Sequence, residues 1–299
     1  MQVCEYCKTE NDDDHKFCKE CGNRLKSLVA VEVRRLEEGG RENLDLNGMK
    51  GKAFVYSTRG KYDQAIDELT RAIRFHPHVP ELHYQLGIVL YKNGQIENSV
   101  NEFERTISLD PKHFKAHLKL GNIYGEDLRN HEMAIKIYSR AVDLRPDYPD
   151  LRNNLGNAFR FIARHAEAAE QFEKAVELNP RYARARFNLG KTYSALGEFD
   201  KARRQYEEAI EIDRNHPKAF KNLGDVLVRL GDDDRAAECY RLAVDTDPSY
   251  VNARVSLAQF LAERGETTEA EREAREALAL RPELGSVEKI ITNGDAGNE

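Results

Sequence analysis

Bulky and small apolar residues recur along this chain at a fixed step of 34, stretched once to 35. Leu86, Leu120, Leu155, Leu189, Leu223 and Leu257 are each followed by a small residue: Gly87, Gly121, Gly156, Gly190, Gly224 and Ala258. A second set follows in each period. Ala65, Ser99, Ala134, Ala168, Ala202, Ala236 and Ala270 precede Ala72, Thr106, Ala141, Ala175, Ala209, Ala243 and Ala277, with a bulky residue between them. That residue is Leu69, Phe103, Tyr138, Phe172, Tyr206 or Tyr240, and only Ala274 breaks the rule. Positions three, four and seven apart share one helical face, so each period predicts two amphipathic helices. The small positions let those helices approach, and the aromatic fills the groove they leave.

Prolines punctuate the pattern. Pro77, Pro111, Pro146, Pro180, Pro248 and Pro282 are spaced 34, 35, 34, 68 and 34, and Arg214 occupies the missing place. Proline lacks the N–H and clashes with the preceding turn, so it ends the second helix. Gly60, Gly94, Gly197, Gly231 and Gly265 fall between the two helices. Each unit therefore reads as an antiparallel helix pair, and the fold class as all-α.

These residues resemble the tetratricopeptide repeat, a 34-residue family. The resemblance implies a right-handed superhelical solenoid of seven helix-pair repeats over residues 46–282, with a degenerate first unit carrying Gly48, Gly51 and Lys52. The Trp common at the family's fourth position is absent; His83, His117, Arg152, Arg186, Phe220 and Arg254 stand there. The extra residue of the third unit is expected to enlarge the turn around Leu128–His131. After Pro282, Leu284, Val287 and Ile290 predict a last helix that caps the array, and the polar segment Asn293–Glu299 predicts a disordered tail. Residues 283–299 are thus capping helix and tail.

Charged residues make up 33% of the chain and aromatics 8%, with no Trp, which suits stacked amphipathic helices better than one thick core. The net charge is −6 and basic residues are interspersed with acidic ones, so bulk electrostatics favour neither nucleic acid nor an anionic membrane surface. No stretch approaches the ~18 apolar residues of a membrane span. Met1 is followed by Cys4 without an apolar signal core. The expectation is a cytoplasmic protein whose cysteines are thiols or metal ligands.

Cys4-Glu5-Tyr6-Cys7 and Cys18-Lys19-Glu20-Cys21 form two C-x-x-C turns. Each turn aims two sulfurs at one ion, and four thiolates make a closed tetrahedral Zn²⁺ site, structural and not catalytic. Residues 1–26 bury too little apolar surface to fold alone, so the metal would supply most of their folding energy. Phe17-Cys18-x-x-Cys21-Gly22 resembles the short zinc ribbons at the N-termini of many bacterial and archaeal proteins; Lys8 departs from that pattern. His15 reads as an exposed loop residue. Cys239 reads as a partly exposed spectator thiol. The linker 27–45 is ambiguous: Leu28, Val31 and Arg35 fit a helix, whereas Val29, Val31 and Val33 alternate as in a strand.

No catalytic set emerges. Gly190-Lys191-Thr192 mimics the end of a phosphate-binding loop, but Ala185 replaces the required Gly and the segment sits mid-helix. His131-Glu132 begins a metalloprotease-like string that Ile135 breaks. The chain is expected not to be an enzyme.

The family resemblance implies that the second, fifth, sixth, ninth and twelfth residues of each unit line a concave groove. They include Lys119, Asn122, Asn154, Asn157, Arg184, Asn188, Lys191, Lys218 and Asn222, with Asn154, Asn188 and Asn222 at the sixth place of three successive units. An Asn offers donor and acceptor, so such a row suits the backbone of an extended peptide, and the cations beside it favour an acidic one. The row resembles the Asn ladder of the superhelical region of O-linked N-acetylglucosamine transferase, whose transferase domain has no counterpart here. It partly resembles the carboxylate clamp of chaperone-binding repeats, with Asn153 and Asn222 at two places where the clamp has basic residues. The sequence thus predicts a protein-interaction scaffold binding extended peptides. A second reading makes the ribbon a dock for nucleic acid, ribosome or transcription machinery, against which Asp12-Asp13-Asp14 weakens phosphate attraction. Self-association stays open.

Overall fold

The computed structural model describes residues 2–3, 10–11 and 46–295, with side chains through 291. It divides into two compact units, Met1–Ile123 and Tyr124–Glu299. Cys4, Cys7, Cys18, Cys21, His15 and the linker 27–45 lie outside the described residues.

In the first unit, strand β1 (Gln2–Val3) pairs antiparallel with β2 (Glu10–Asn11), Gln2 opposite Asn11 and Val3 opposite Glu10. Five helices follow: α1 (Leu46–Thr58), α2 (Tyr62–Phe75), α3 (Pro80–Lys92), α4 (Ile96–Leu109) and α5 (Phe114–Asn122). Each packs on the next. Gly48 and Gly51 do not break α1, because Met49 and Ala53 bury against Ala65, Leu69 and Leu86 of the neighbouring helices. Tertiary packing outweighs the poor intrinsic propensity.

The second unit holds α6 (His131–Leu144), α7 (Pro149–Phe161), α8 (His165–Leu178), α9 (Ala183–Leu196) and α10 (Phe199–Ile212). It continues with α11 (Pro217–Leu230), α12 (Asp233–Thr246), α13 (Val251–Glu263), α14 (Thr267–Leu280) and α15 (Gly285–Asp295). Consecutive helices pack throughout, and first helices α7, α9, α11 and α13 also touch one another in succession. The glycine after each first-helix leucine is the point of closest approach. A methyl group added at Gly156, Gly190 or Gly224 would lie 2.7–2.8 Å from the ring of Phe172, Tyr206 or Tyr240. Where Ala258 takes the glycine's place, the partner shrinks to Ala274, and Val287 of α15 packs against both alanines. Helix α15 runs through Asp295, past the Asn293 at which a disordered tail was expected to begin.

Two departures from the expected turns have physical causes. The extra residue of the third repeat enters as a π-helical turn, Ile123–Asp127, with the Asn130 N–H donating to Tyr124 O at 2.7 Å and Arg129 at φ 50°. An inserted residue commonly widens one helical turn in this way, so the helix end absorbs it together with the loop. At Arg214 the proline is missing, yet Asp213 Oδ1 still accepts the Asn215 N–H at 3.2 Å. The same bond links Asp110 to Lys112, Asn179 to Arg181 and Asp247 to Ser249. At these four helix ends the side-chain turn, and not proline alone, stops the second helix.

The fourth position, where the family has Trp, carries a polar brace. Arg152, Arg186 and Arg254 donate from Nε to the carbonyl oxygens of Pro146, Pro180 and Pro248 at 3.1, 2.8 and 2.9 Å. Their Nη1 groups reach Gln171, Gln205 and Glu273 on the second helix of the same repeat. His83 bridges Pro77 O (3.1 Å) and Glu102 (2.6 Å) in the same manner. In the repeat that lacks the proline, Phe220 stands in place of Arg and Cys239 in place of the Gln or Glu. Cys239 is therefore buried, 8% exposed, and burial pushes its thiol up to about 11. The expected partly exposed spectator is corrected to a core thiol held in its protonated form.

Candidate peptide-binding face

Lys119 and Asn122 lie on α5 in the first unit, and Lys119 is exposed. The remaining predicted residues belong to the second unit. Asn154 and Asn157 stand on α7, Arg184, Asn188 and Lys191 on α9, and Lys218 and Asn222 on α11. Because these three first helices are neighbours, one repeat period in sequence becomes one step sideways in space.

Two cavities lie on this face. The first, of about 280 Å³, gathers Asn154, Asn157, Arg160, Phe161, Arg184 and Asn188, with Gly125 and Glu126 of the π turn on its wall. The second, of about 320 Å³, gathers Lys191, Ser194, Tyr206, Asn222, Asp225 and Arg229.

The three asparagines of the row are not equivalent. Asn188 is buried, 8% exposed, and its Nδ2 donates to Oδ1 of Asn153 at 2.9 Å. Asn153 is fully buried and its amide points on to Asn154 Oδ1 at 3.5 Å. The middle rung thus ties α9 to α7, with its amide N–H engaged inside the protein. Asn222 is half-buried and bonded to the Tyr206 hydroxyl, whose pKa burial pushes up to about 12. Asn154 and Asn157 are half-buried.

The cations differ in setting as well. Lys191 is half-buried, and burial, then Arg160 and Lys218, hold its ammonium below the usual lysine range. Burial also lowers Arg160, which donates to Asn157 Oδ1 at 3.4 Å while its Nε has no hydrogen-bond partner among the described residues. Arg184 and Lys218 are exposed.

One component was not legible in the sequence. Phe161, 61% exposed, stacks on the His131 ring at 4.6 Å with 5° between planes and carries the Arg160 guanidinium 4.9 Å from its centroid. The 35-residue third period was the signal, since the π turn and His131 both flank that insertion. The phosphate-loop look-alike is confirmed as internal: Thr192 is buried in mid-helix and its Oγ1 donates to Asn188 O at 2.8 Å. Among the described residues no group of three or more His, Cys, Asp or Glu is placed to hold a metal, and no helix is long and apolar enough to cross a membrane.

Family models described as tetratricopeptide or TPR repeat match residues 55–94, 89–127, 112–181, 163–223 and 221–284, a continuous run through the helical array. The chain is a tetratricopeptide-repeat (TPR) protein. Curated relatives include the Protein CTR9 homolog of Arabidopsis thaliana, 26% identical over 118 residues, which are 38% of this chain and 11% of that protein. The peroxisomal targeting signal receptor of Candida glabrata is 25% identical over 127 residues, 41% of this chain and 21% of the receptor. The matched region is thus a tenth to a fifth of the length of these relatives. Among solved structures, YrrB, a TPR protein with an unusual peptide-binding site, superimposes with a TM-score of 0.56 at 24% identity, covering 62% of this chain and 95% of its own. That likeness establishes the TPR fold. TPR proteins as a class mediate protein–protein interactions.

Proposed function

We infer that this TPR protein is a non-enzymatic adaptor that binds extended segments of partner proteins along α7, α9 and α11. The observation that carries this reading is the pair of cavities, both lined by α9, in which half-buried amides of Asn154, Asn157 and Asn222 lie beside the cations Arg184 and Lys191. Side chains offering both donor and acceptor suit peptide backbone, and cations beside them add charge selection. Two of the protein's relatives are named as a complex member and a receptor, which supports a binding role. The test is affinity capture from the native cell with the wild type and the N154A/N157A/N222A variant. A reproducible partner lost by the variant is the expected result; retention of every partner would rule the face out.

The N-terminal cysteines are read as a structural zinc site with Cys4, Cys7, Cys18 and Cys21 as ligands. Their C-x-x-C…C-x-x-C spacing supports it. Four thiolates would supply tetrahedral coordination and leave no position for chemistry. Metal analysis of the purified protein, with cobalt substitution to reveal thiolate charge-transfer bands, tests it. Absence of bound zinc in protein purified under reducing conditions would sink this reading. Thiolate ligands of this kind would persist in a reducing compartment, so a cytoplasmic setting is proposed with them.

A further inference from the structure

Arg160, Lys191 and Lys218 stand on α7, α9 and α11, three first helices that touch in succession, with Arg160 lining the first cavity and Lys191 the second. Arg160 and Lys218 help burial to hold Lys191 below the usual lysine range. Among the described residues no carboxylate forms an ion pair with any of the three. The acids nearby are already engaged. Asp225 accepts Lys221 Nζ at 2.7 Å and the Tyr240 hydroxyl at 3.0 Å, and Asp150 is bonded to Tyr182. Glu126, across the first cavity, lies beside Tyr138. Elsewhere on the array exposed arginines do find acids, as Arg235 does Glu207 and Arg264 does Asp233. In a chain of net charge −6, a run of unneutralised cations, two of them half-buried, is costly in isolation and is relieved by a bound anion.

The spacing indicates what kind of anion. Packed helices stand ~8–10 Å apart, too far for one phosphate group to bridge three of them. An extended chain presents same-face side chains roughly every 7 Å, so successive acidic side chains can meet successive helices. We propose that Arg160, Lys191 and Lys218 form a cationic strip that selects extended peptide segments carrying several Asp or Glu residues. This rests on the peptide-binding reading above and narrows its ligand.

The experiment uses the full chain and short fluorescein-labelled, end-blocked Gly/Ser peptides carrying Glu, Gln or phosphoserine at the same places, followed by anisotropy. The Glu peptide is expected to bind about tenfold or more tighter than the Gln peptide, and to weaken as salt rises. R160Q, K191Q and K218Q should each reduce that preference several-fold. Lys218 is exposed, so K218Q keeps the fold and holds the test firm even if the half-buried positions do not tolerate change. Equal binding of Glu and Gln peptides, unchanged in the variants, would overturn the cationic strip and leave the peptide-binding reading standing. Binding of no peptide would overturn both. Preference for phosphoserine over Glu would replace carboxylate selection with phosphopeptide recognition.

Discussion

The side-chain amide of Asn188 on α9 donates to the side-chain Oδ1 of Asn153 on α7 at 2.9 Å, joining two repeats through a pair of buried polar groups. Removing one partner leaves the other desolvated without a bond, which costs about 1–3 kcal/mol. N188A should therefore lower the unfolding free energy of the second unit by that amount, read as a lower urea midpoint. The N153L/N188L double variant, which removes both groups, should recover much of the loss. An N188A protein as stable as wild type would show that the bond contributes nothing.

Gly190 and Tyr206 predict a steric coupling. With Tyr206 Cε1 only 2.8 Å from the position of an added methyl, G190A should destabilise by about 1–3 kcal/mol. The array already contains the compensated combination, Ala258 facing Ala274. G190A in a Y206A background should thus cost markedly less than G190A alone, and a double-mutant cycle by denaturant melts measures the difference. Additive effects would mean that the contact is relieved elsewhere.

Ala163 closes the turn between α7 and α8 at φ 59°, where Gly197 and Gly231 close theirs at φ 78°. A left-handed backbone costs an L-residue about 1–2 kcal/mol, and the extra freedom glycine gives the unfolded chain offsets part of the relief. A163G should raise stability by roughly 0.5–1 kcal/mol, seen as an upward shift of the thermal midpoint.

The Cys239 thiol carries a pH signature. Its folded pKa of about 11 lies above the ordinary thiol value of 9.0, because burial penalises the thiolate. The stabilising preference for the protonated form is complete below pH 9 and is lost as pH rises towards 11. Wild type should accordingly lose more stability across that window than C239A, whose side chain does not titrate. At pH 8, mass spectrometry should find Cys239 unalkylated in the native protein and alkylated once it unfolds.

Helix pairing, repeat boundaries and the glycine–aromatic interlock were legible because each is written within one or two periods of the chain. Leu189, Gly190 and Tyr206 reveal their face by spacing alone, since 3.6 residues make a turn whatever the surroundings. The candidate face was legible only as a stripe of residue types. Sequence spacing placed Asn154, Asn188 and Asn222 at one register position, but not the side-chain direction that makes Asn188 a buried tie to Asn153.

What this sequence determined by itself is the TPR architecture, because short-range periodicity and helix-ending residues act locally. Tertiary structure decided which polar groups remain available. It turned the extra residue of the third repeat into a π turn beside Phe161 and His131, and it buried Cys239 opposite the position where other repeats carry an arginine brace. It also brought Arg160 and Lys218 to bear on Lys191 from separate repeats. Those outcomes depend on distances between helices that are remote in sequence, and such distances are set by packing and not by the period.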